Sequence, residues 1–490
     1  MRTKAIAITI AVTGLLSWSA SAQGQAAAAK PQAAPAQGQP PPSPPSRLEQ
    51  QIKEIKNPAP WITWGGDFRA RNEYLDTTLM LTEDHPLSEQ DYFRFRARLY
   101  TSIKPVQDVS FNARLATEPR VWMKPAGYTP MRGQSGTDWT EGVIDTLNVQ
   151  WKNILDLPFS ATIGRQDLML GEGWLTGDGT PYDGSWTYFL DAARLTYELK
   201  DQHTVIEAIG IIQSAEDDAW LPTINNQNRY FMEQHEKGAI LNIVNTSMPA
   251  ANINPYFIYK HDDKVNEPGA PAGGDNADIY TLGARVSGVV REHWKYSVEG
   301  AYQFGEKQDL FIRYPEVSDD FRDINAFGLN TKFFYLFKDK LNCQLGFSYE
   351  YLSGDDPNTD EDEMFDVLWG RYPRWSEIGL YSFARETRVG QQANYHRFGP
   401  SWVFNPMKGM ELSVNYYALF AAHDTPTREG SPTLFTHNDS FRGHFVAAAL
   451  KHKFTPRLSG HLWGELQFPG DYYVNDHVMS FLRAELMFTF

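Results

Sequence analysis

The chain has little of three things. It carries a single cysteine, Cys343, so it forms no internal disulfide and offers no cysteine-built metal site. Past the first two dozen residues it has no apolar run near the roughly twenty residues that a membrane-crossing helix needs, which excludes a helical membrane protein. Basic side chains are outnumbered, 45 Lys and Arg against 60 Asp and Glu, for a formal charge of −15. That balance argues against a nucleic-acid binder. What is plentiful is aromatic: 29 Phe, 24 Tyr and 14 Trp in 490 residues. This load is high for two or three soluble domains of that length. A secreted soluble protein or an outer-membrane β-barrel remains.

Residues 1–22 have the layout of a secretory signal peptide. Arg2 and Lys4 make the charged start, Ala5 to Leu16 the apolar stretch, and Ala20-Ser21-Ala22 a small-residue cleavage site before Gln23. The apolar stretch is too short for an anchor, and no cysteine follows to take a lipid. The expected location is the outer membrane of a Gram-negative-type bacterium. Residues 23–60 form a linker. Its first part, almost all Ala, Gln, Pro and Gly, cannot bury enough apolar surface to fold. Leu48, Ile52 and Ile55 then recur at helical spacing and predict a short helix; one heptad is too little for a coiled coil.

From 61 to 490, strand-like segments alternate with connections of two lengths. Short turns fall near residues 105–108, 153–157, 200–203, 247–251, 291–292, 338–340, 405–409 and 455–457. Long polar loops occupy about 76–90, 119–142, 167–187, 214–236, 262–276, 305–321, 353–392, 422–439 and 469–476. Nine long loops separated by eight short turns imply an all-β fold of 18 antiparallel strands with both ends on the short-turn side. Short periplasmic turns, long external loops and an even strand count are the outer-membrane barrel pattern. A soluble sandwich would not sort its turns by length.

Alternation within the strands agrees. Phe93, Phe95, Ala97, Leu99 and Ile103 share one face, opposite Tyr92, Arg94, Arg96, Arg98, Tyr100 and Lys104. Trp294, Tyr296, Val298, Tyr302 and Phe304 oppose Lys295, Ser297, Glu299 and Gln303. In Leu341-Tyr351, Cys343 falls among the apolar residues as a small hydrophobe. Lipid cannot solvate the charged face, so that face points into the lumen. The last strand alternates Leu482, Ala484, Leu486 and Phe488 with Arg483, Glu485, Met487 and Thr489, and the chain stops on Phe490. Such a terminal aromatic resembles the signal read by the barrel assembly machinery. Pairing with the first strand would remove an edge otherwise prone to aggregation.

The acidic residues crowd into loops, while basic ones sit mid-strand on the polar face. Arg69 and Arg71 lie on the first strand, Arg94, Arg96 and Arg98 on the second, and Arg114 on the third. Arg194, Arg285, Lys332 and Arg397 follow, and closure brings Arg483 beside the first strand. Clustered like charges repel unless counter-charges or a ligand share the space. Glu73, Glu118, Glu198, Glu299, Glu465 and Glu485 are at hand. Two readings stay open: Arg/Glu ladders that stiffen the interior, or an electropositive constriction that draws anions. Arginine suits carboxylates because its fork matches both oxygens. The residues themselves go no further than anion-preferring.

Two segments resemble the alginate export porins. One is Gly164-Arg165-Gln166-Asp167-Leu168-Met169-Leu170-Gly171-Glu172-Gly173, continued by Asp191-Ala192-Ala193-Arg194-Leu195-Thr196; the other is Tyr351-Leu352-Ser353-Gly354-Asp355-Asp356 with Phe365-Asp366-Val367-Leu368-Trp369-Gly370. The resemblance implies an 18-stranded monomeric barrel with an arginine-rich constriction conducting polymannuronate and related anionic polysaccharide outward. Family arginines map onto this chain by role and strand face, not position by position. The Pro-rich linker and the acidic 353–392 loop depart from the family pattern and leave the solute open.

Rival classes make distinct expectations. No H-E-x-x-H, G-x-S-x-G or serine-histidine-acid pattern stands out to indicate an enzyme. Asp217/Asp218 and the 355–363 carboxylates read as solvated loop. Asp355, Asp356, Asp360 and Asp362 are weak candidates for Ca²⁺, since hard cations want several oxygens, but they lack the D-x-[DN]-x-[DN]-G order. A general or nutrient-specific diffusion porin would narrow its lumen with an inward loop, acidic opposite basic, and form a trimer. A structural barrel would show a plugged lumen with paired charges.

Overall fold

The computed structural model describes residues 47–78, 81–125, 137–138, 142–177, 188–216, 220–224, 230, 232–265, 274–308, 321–356, 358–387, 390–426 and 434–490. The signal peptide, the low-complexity linker and Asp217/Asp218 lie outside these residues. The expected short helix is α1, Arg47–Lys56.

Twenty hydrogen-bonded segments build 18 barrel strands, because two strands are interrupted. They begin with β1 (Ile62–Asp76), β2 (Glu89–Val106) and β3 (Val109–Thr117, resumed at Arg120–Lys124). Pro119 breaks β3 by lacking an N–H, yet its carbonyl still accepts from the Phe95 N–H at 2.9 Å. Then come β4 (Thr137–Asp138 and Val143–Trp151), β5 (Phe159–Gln166), β6 (Leu190–Leu199), β7 (Thr204–Gln213) and β8 (Gln234–Met248). β9 (Ala251–Lys264), β10 (Ala277–Val290), β11 (Trp294–Gln308), β12 (Phe321–Leu336) and β13 (Gln344–Leu352) follow. The series ends with β14 (Tyr395–Phe404), β15 (Met410–Phe420), β16 (Phe441–Lys453), β17 (Leu458–Pro469) and β18 (Met479–Thr489). Every pairing is antiparallel between chain neighbours, and β1 closes the sheet on β18 with Asp67 opposite Thr489. Phe490 completes the seam: its N–H donates to the Gly66 carbonyl at 3.0 Å, and its ring meets Trp64 edge-on. The fold is a transmembrane 18-stranded barrel, as the loop count implied.

Side-chain direction follows the pleat. Phe68, Phe93, Leu99, Ile163, Leu195, Leu282, Leu345, Leu482 and Leu486 are exposed on the outside, where hydrocarbon covers them. Arg69, Arg94, Arg96, Glu299, Gln303, Glu350 and Arg483 are buried inside. Inward also point Ile209, Ile240, Ile258 and Ile279, because part of the lumen is filled with protein.

Two sequence expectations need correction. Cys343 is not on a strand face. β13 starts at Gln344, Asn342 takes a left-handed φ of 50°, and the Cys343 N–H donates to Asp339 Oδ1 at 2.8 Å, which makes a turn. The 353–392 loop is not a solvated external loop either. Its Phe365, Val367, Leu368 and Trp369 are fully buried in the lumen against the inward isoleucines, since an apolar run of this kind finds no other dry surface.

Candidate functional site: the lumen and its inward loops

Register sets Arg69 opposite Arg96 and Arg71 opposite Arg94, pairs that repel on their own. Carboxylates from neighbouring strands interleave with them. Glu118 accepts from Arg69 at 2.5 Å and from Arg94 at 2.5 Å. Glu73 lies 2.6 Å from Arg483 and 3.3 Å from Arg71, and Glu485 accepts from Arg71. Asp67 meets Arg98 at 2.8 Å and Arg96 at 3.5 Å. With Arg69, Arg71, Arg96 and Arg483 at 1% exposure or less, this part of the predicted constriction is a dry, mutually neutralised network.

Of the remaining predicted cations, Arg114, Arg194, Arg285 and Lys332 stand nearer open space, while Arg397 is buried. Arg114 grips Asp167 with two bonds of 2.8 Å and Asp145 with one of 2.7 Å. Arg194 pairs with Glu207. Arg397 holds Glu350 at 3.0 Å and lies over the Tyr417 ring, 4.4 Å from its centroid. Arg285 and Lys332 share one carboxylate, Glu172, at 2.8 and 2.6 Å.

Glu172 reaches them from the connection after β5. Gly171 and Gly173 take φ of +56° and +76° on either side of it, a backbone that side-chain-bearing residues rarely adopt. The Gly173 N–H closes the turn on the Leu170 carbonyl at 2.8 Å, so Glu172 forms its tip. Burial opposes ionisation of the Glu172 carboxyl, but the Lys332 ammonium and the Arg285 guanidinium outweigh it and hold it down at about 2.

A second inward element comes from the 353–394 connection. It carries α2, Glu377–Phe383, capped by Ser376, whose hydroxyl accepts from the Gly379 N–H at 2.8 Å. The Glu465 carboxylate on β17 accepts from the Glu377 and Ile378 N–H groups, each at 2.9 Å, and from the Ser376 hydroxyl. Glu377 in turn pairs with Arg483, Glu386 with Arg442, and Arg371 with Glu233. The element is therefore tied to opposite walls by charge-assisted bonds.

Between this element and β12–β17 lies a cavity of about 260 Å³. Lys332, Arg374 and Arg397 line it together with Glu172 and Glu350, the carboxylates paired with Lys332 and Arg397, beside Trp375, Phe334, Tyr417 and Trp463, with Asn330, Gln392 and Asn415 as amides. Cations, flat apolar faces and amide groups in one space suit a polar ring that carries a carboxylate.

The four loop carboxylates offered for Ca²⁺ go separate ways. Asp355 pairs with Arg322 at 3.1 Å, Asp362 lies 3.7 Å from Lys307, and Asp356 Oδ1 accepts from the Asn358 N–H. They form no cluster of metal-binding spacing among the described residues, because Arg322 and Lys307 draw two of them apart; Asp262, Asp275 and Asp366 are the acidic group that converges. Sequence reading also missed Glu172, Arg374 and Trp375. The signals were there: a charged residue between two glycines, and the run Arg371-Tyr372-Pro373-Arg374-Trp375 inside an otherwise acidic loop.

A family model described as alginate export matches residues 60–477. Among solved structures the chain is similar to Pseudomonas aeruginosa OccK8 (OprE), 11% identical with a TM-score of 0.54, over 87% of this chain and 98% of that one. It is similar to P. aeruginosa OccK9 (OpdG), 9% identical at 0.53, over 87% and 98%. Acinetobacter baumannii OccAB1 is 10% identical at 0.51, over 87% and 96%. At these identities the likeness is one of fold. The comparison with curated proteins gives no match.

Proposed function

The chain belongs to the alginate export family, and from that premise we propose that this outer-membrane channel conducts an anionic saccharide, a uronate polymer of alginate type, along the open side of its lumen. The supporting observation is the cavity beneath the inward element, where Lys332 and Arg374 stand beside Trp375 and Phe334. A uronate unit offers a carboxylate to the cations, a CH face to the rings and hydroxyls to the amides. Several weak contacts of this sort let a chain advance, where one tight site would hold it. The signal peptide delivers the chain, the strand ending in Phe490 is its handle for barrel assembly, and the barrel works as a monomer.

The inward element at 353–394 favours a second reading, a selective diffusion channel for small carboxylates. Planar-bilayer recordings separate the two. A polyuronate that blocks or crosses, in an anion-preferring pore, supports the first. Passage of small carboxylates with no polyuronate block supports the second, and cation preference contradicts both.

A further inference from the structure

Arg285 and Lys332 face the lumen from β10 and β12, on either side of β11. One carboxylate is divided between them: Glu172 Oε1 accepts from Arg285 Nη2 at 2.8 Å, and Oε2 from Lys332 Nζ at 2.6 Å. One oxygen on each cation is how a free carboxylate ligand would be held. The contact is open to water, with side chains 18%, 34% and 35% exposed for Arg285, Lys332 and Glu172. The Arg69–Glu118 pair, at 0% and 1%, is sealed by comparison. Glu172 and Lys332 both line the 260 Å³ cavity, beside Arg374. The carrier of Glu172 is a short glycine-flanked turn and not a membrane-spanning strand, so its carboxylate can leave without breaking the sheet.

We propose that Arg285 and Lys332 form a carboxylate subsite of the lumen, that Glu172 fills it as an intramolecular stand-in, and that an anionic solute takes it by displacing the Glu172 side chain from the Gly171–Gly173 turn, which the buried Trp174 holds in place. The proposal deepens the conduction reading and rests on it. Exchange of one carboxylate for another leaves both cations neutralised, and the displaced Glu172 carboxylate, already 35% exposed, turns to water. A tethered group competes at an effective concentration in the ~mM range. A lone carboxylate is therefore a poor competitor, whereas a chain of linked carboxylates succeeds at lower concentration.

The test uses the full chain refolded into planar bilayers, with a galacturonate trimer as probe and maltotriose as its neutral counterpart. Glu172→Gln is expected to lower the half-blocking trimer concentration by about tenfold, with maltotriose unaffected. Adding Arg285→Ala and Lys332→Ala should abolish that gain. Glu172→Asp, one methylene shorter, should shift block in the same direction by less, and serves if Glu172→Gln does not insert. An anion-preferring wild type blocked by the trimer, with both Glu172 variants unchanged, would overturn the subsite alone. A wild type and a Glu172→Gln variant that both ignore the trimer would overturn the subsite and the conduction reading together. Equal block by maltotriose would also overturn the subsite.

Discussion

At the scale of single residues, the lumen sorts its cations into sealed and reachable ones. Glu118 serves Arg69 and Arg94 at once in a dry setting. Glu118→Gln should therefore destabilise the barrel by about 3–5 kcal/mol, the range for breaking a buried ion pair. Denaturant unfolding measures the loss, and a change below about 1 kcal/mol would place the pair in contact with water. Lys332→Ala should do the reverse, altering ion selectivity with little effect on unfolding. Acid should leave the Glu172 contact alone over a wide window. A carboxyl held at about 2 against a free glutamate's 4.5 contributes its full docking energy above 4.5 and loses it only as pH falls through 2. The change in reversal potential between pH 7 and pH 4.5 should then be the same in the wild type and in Glu172→Gln; a change larger in the wild type would show the Glu172 carboxyl titrating higher. The sequence displayed the arginines and their inward direction plainly, because a period of two leaves no other face. It did not display their partners. Glu118 follows the end of a strand segment, Glu377 comes from a distant loop, and Glu485 arrives only through closure, so pairing depended on register across strands far apart in the chain.

At the scale of elements, strands and loops differed in how well they could be read. Long connections and short turns alternate in the order composition gave, since turn chemistry and alternation are local properties, although strands run on to Lys264 and Gln308, start early at Gln234, and resume at Arg120–Lys124 inside expected loops. The fate of the 353–394 connection was not local. Its acidic residues suggested water, while Phe365 to Trp369 needed a dry partner. That partner is the set of inward isoleucines on β7 to β10, whose strands carry apolar residues on both faces. Strands apolar on both faces mark the stretch of wall that a loop covers. Replacing 357–392 by a short Gly/Ser linker should raise single-channel conductance severalfold, with the barrel still showing heat-modifiable migration on gels. An unchanged conductance would mean that the element does not limit flow. Glu465→Ala is a milder version: it removes the acceptor shared by the Ser376 hydroxyl and the Glu377 and Ile378 N–H groups. More frequent current fluctuations at unchanged mean selectivity are expected, and a quiet trace would show the other anchors to suffice.

At the scale of the whole molecule, an acidic chain of −15 encloses a lumen whose partly exposed groups include cations. Net charge is thus a poor guide to selectivity, since much of the acid is spent neutralising sealed arginines or lies in the outer loops. Family and fold make the chain an export-type channel in the outer membrane. The most direct measurement is the zero-current potential of the full-length protein in a planar bilayer under a KCl gradient, taken before and after polyuronate is added. The account predicts a potential of the sign for chloride preference and a fall in current when the polymer arrives. A potential of the sign for potassium preference, with current indifferent to the polymer, would contradict it.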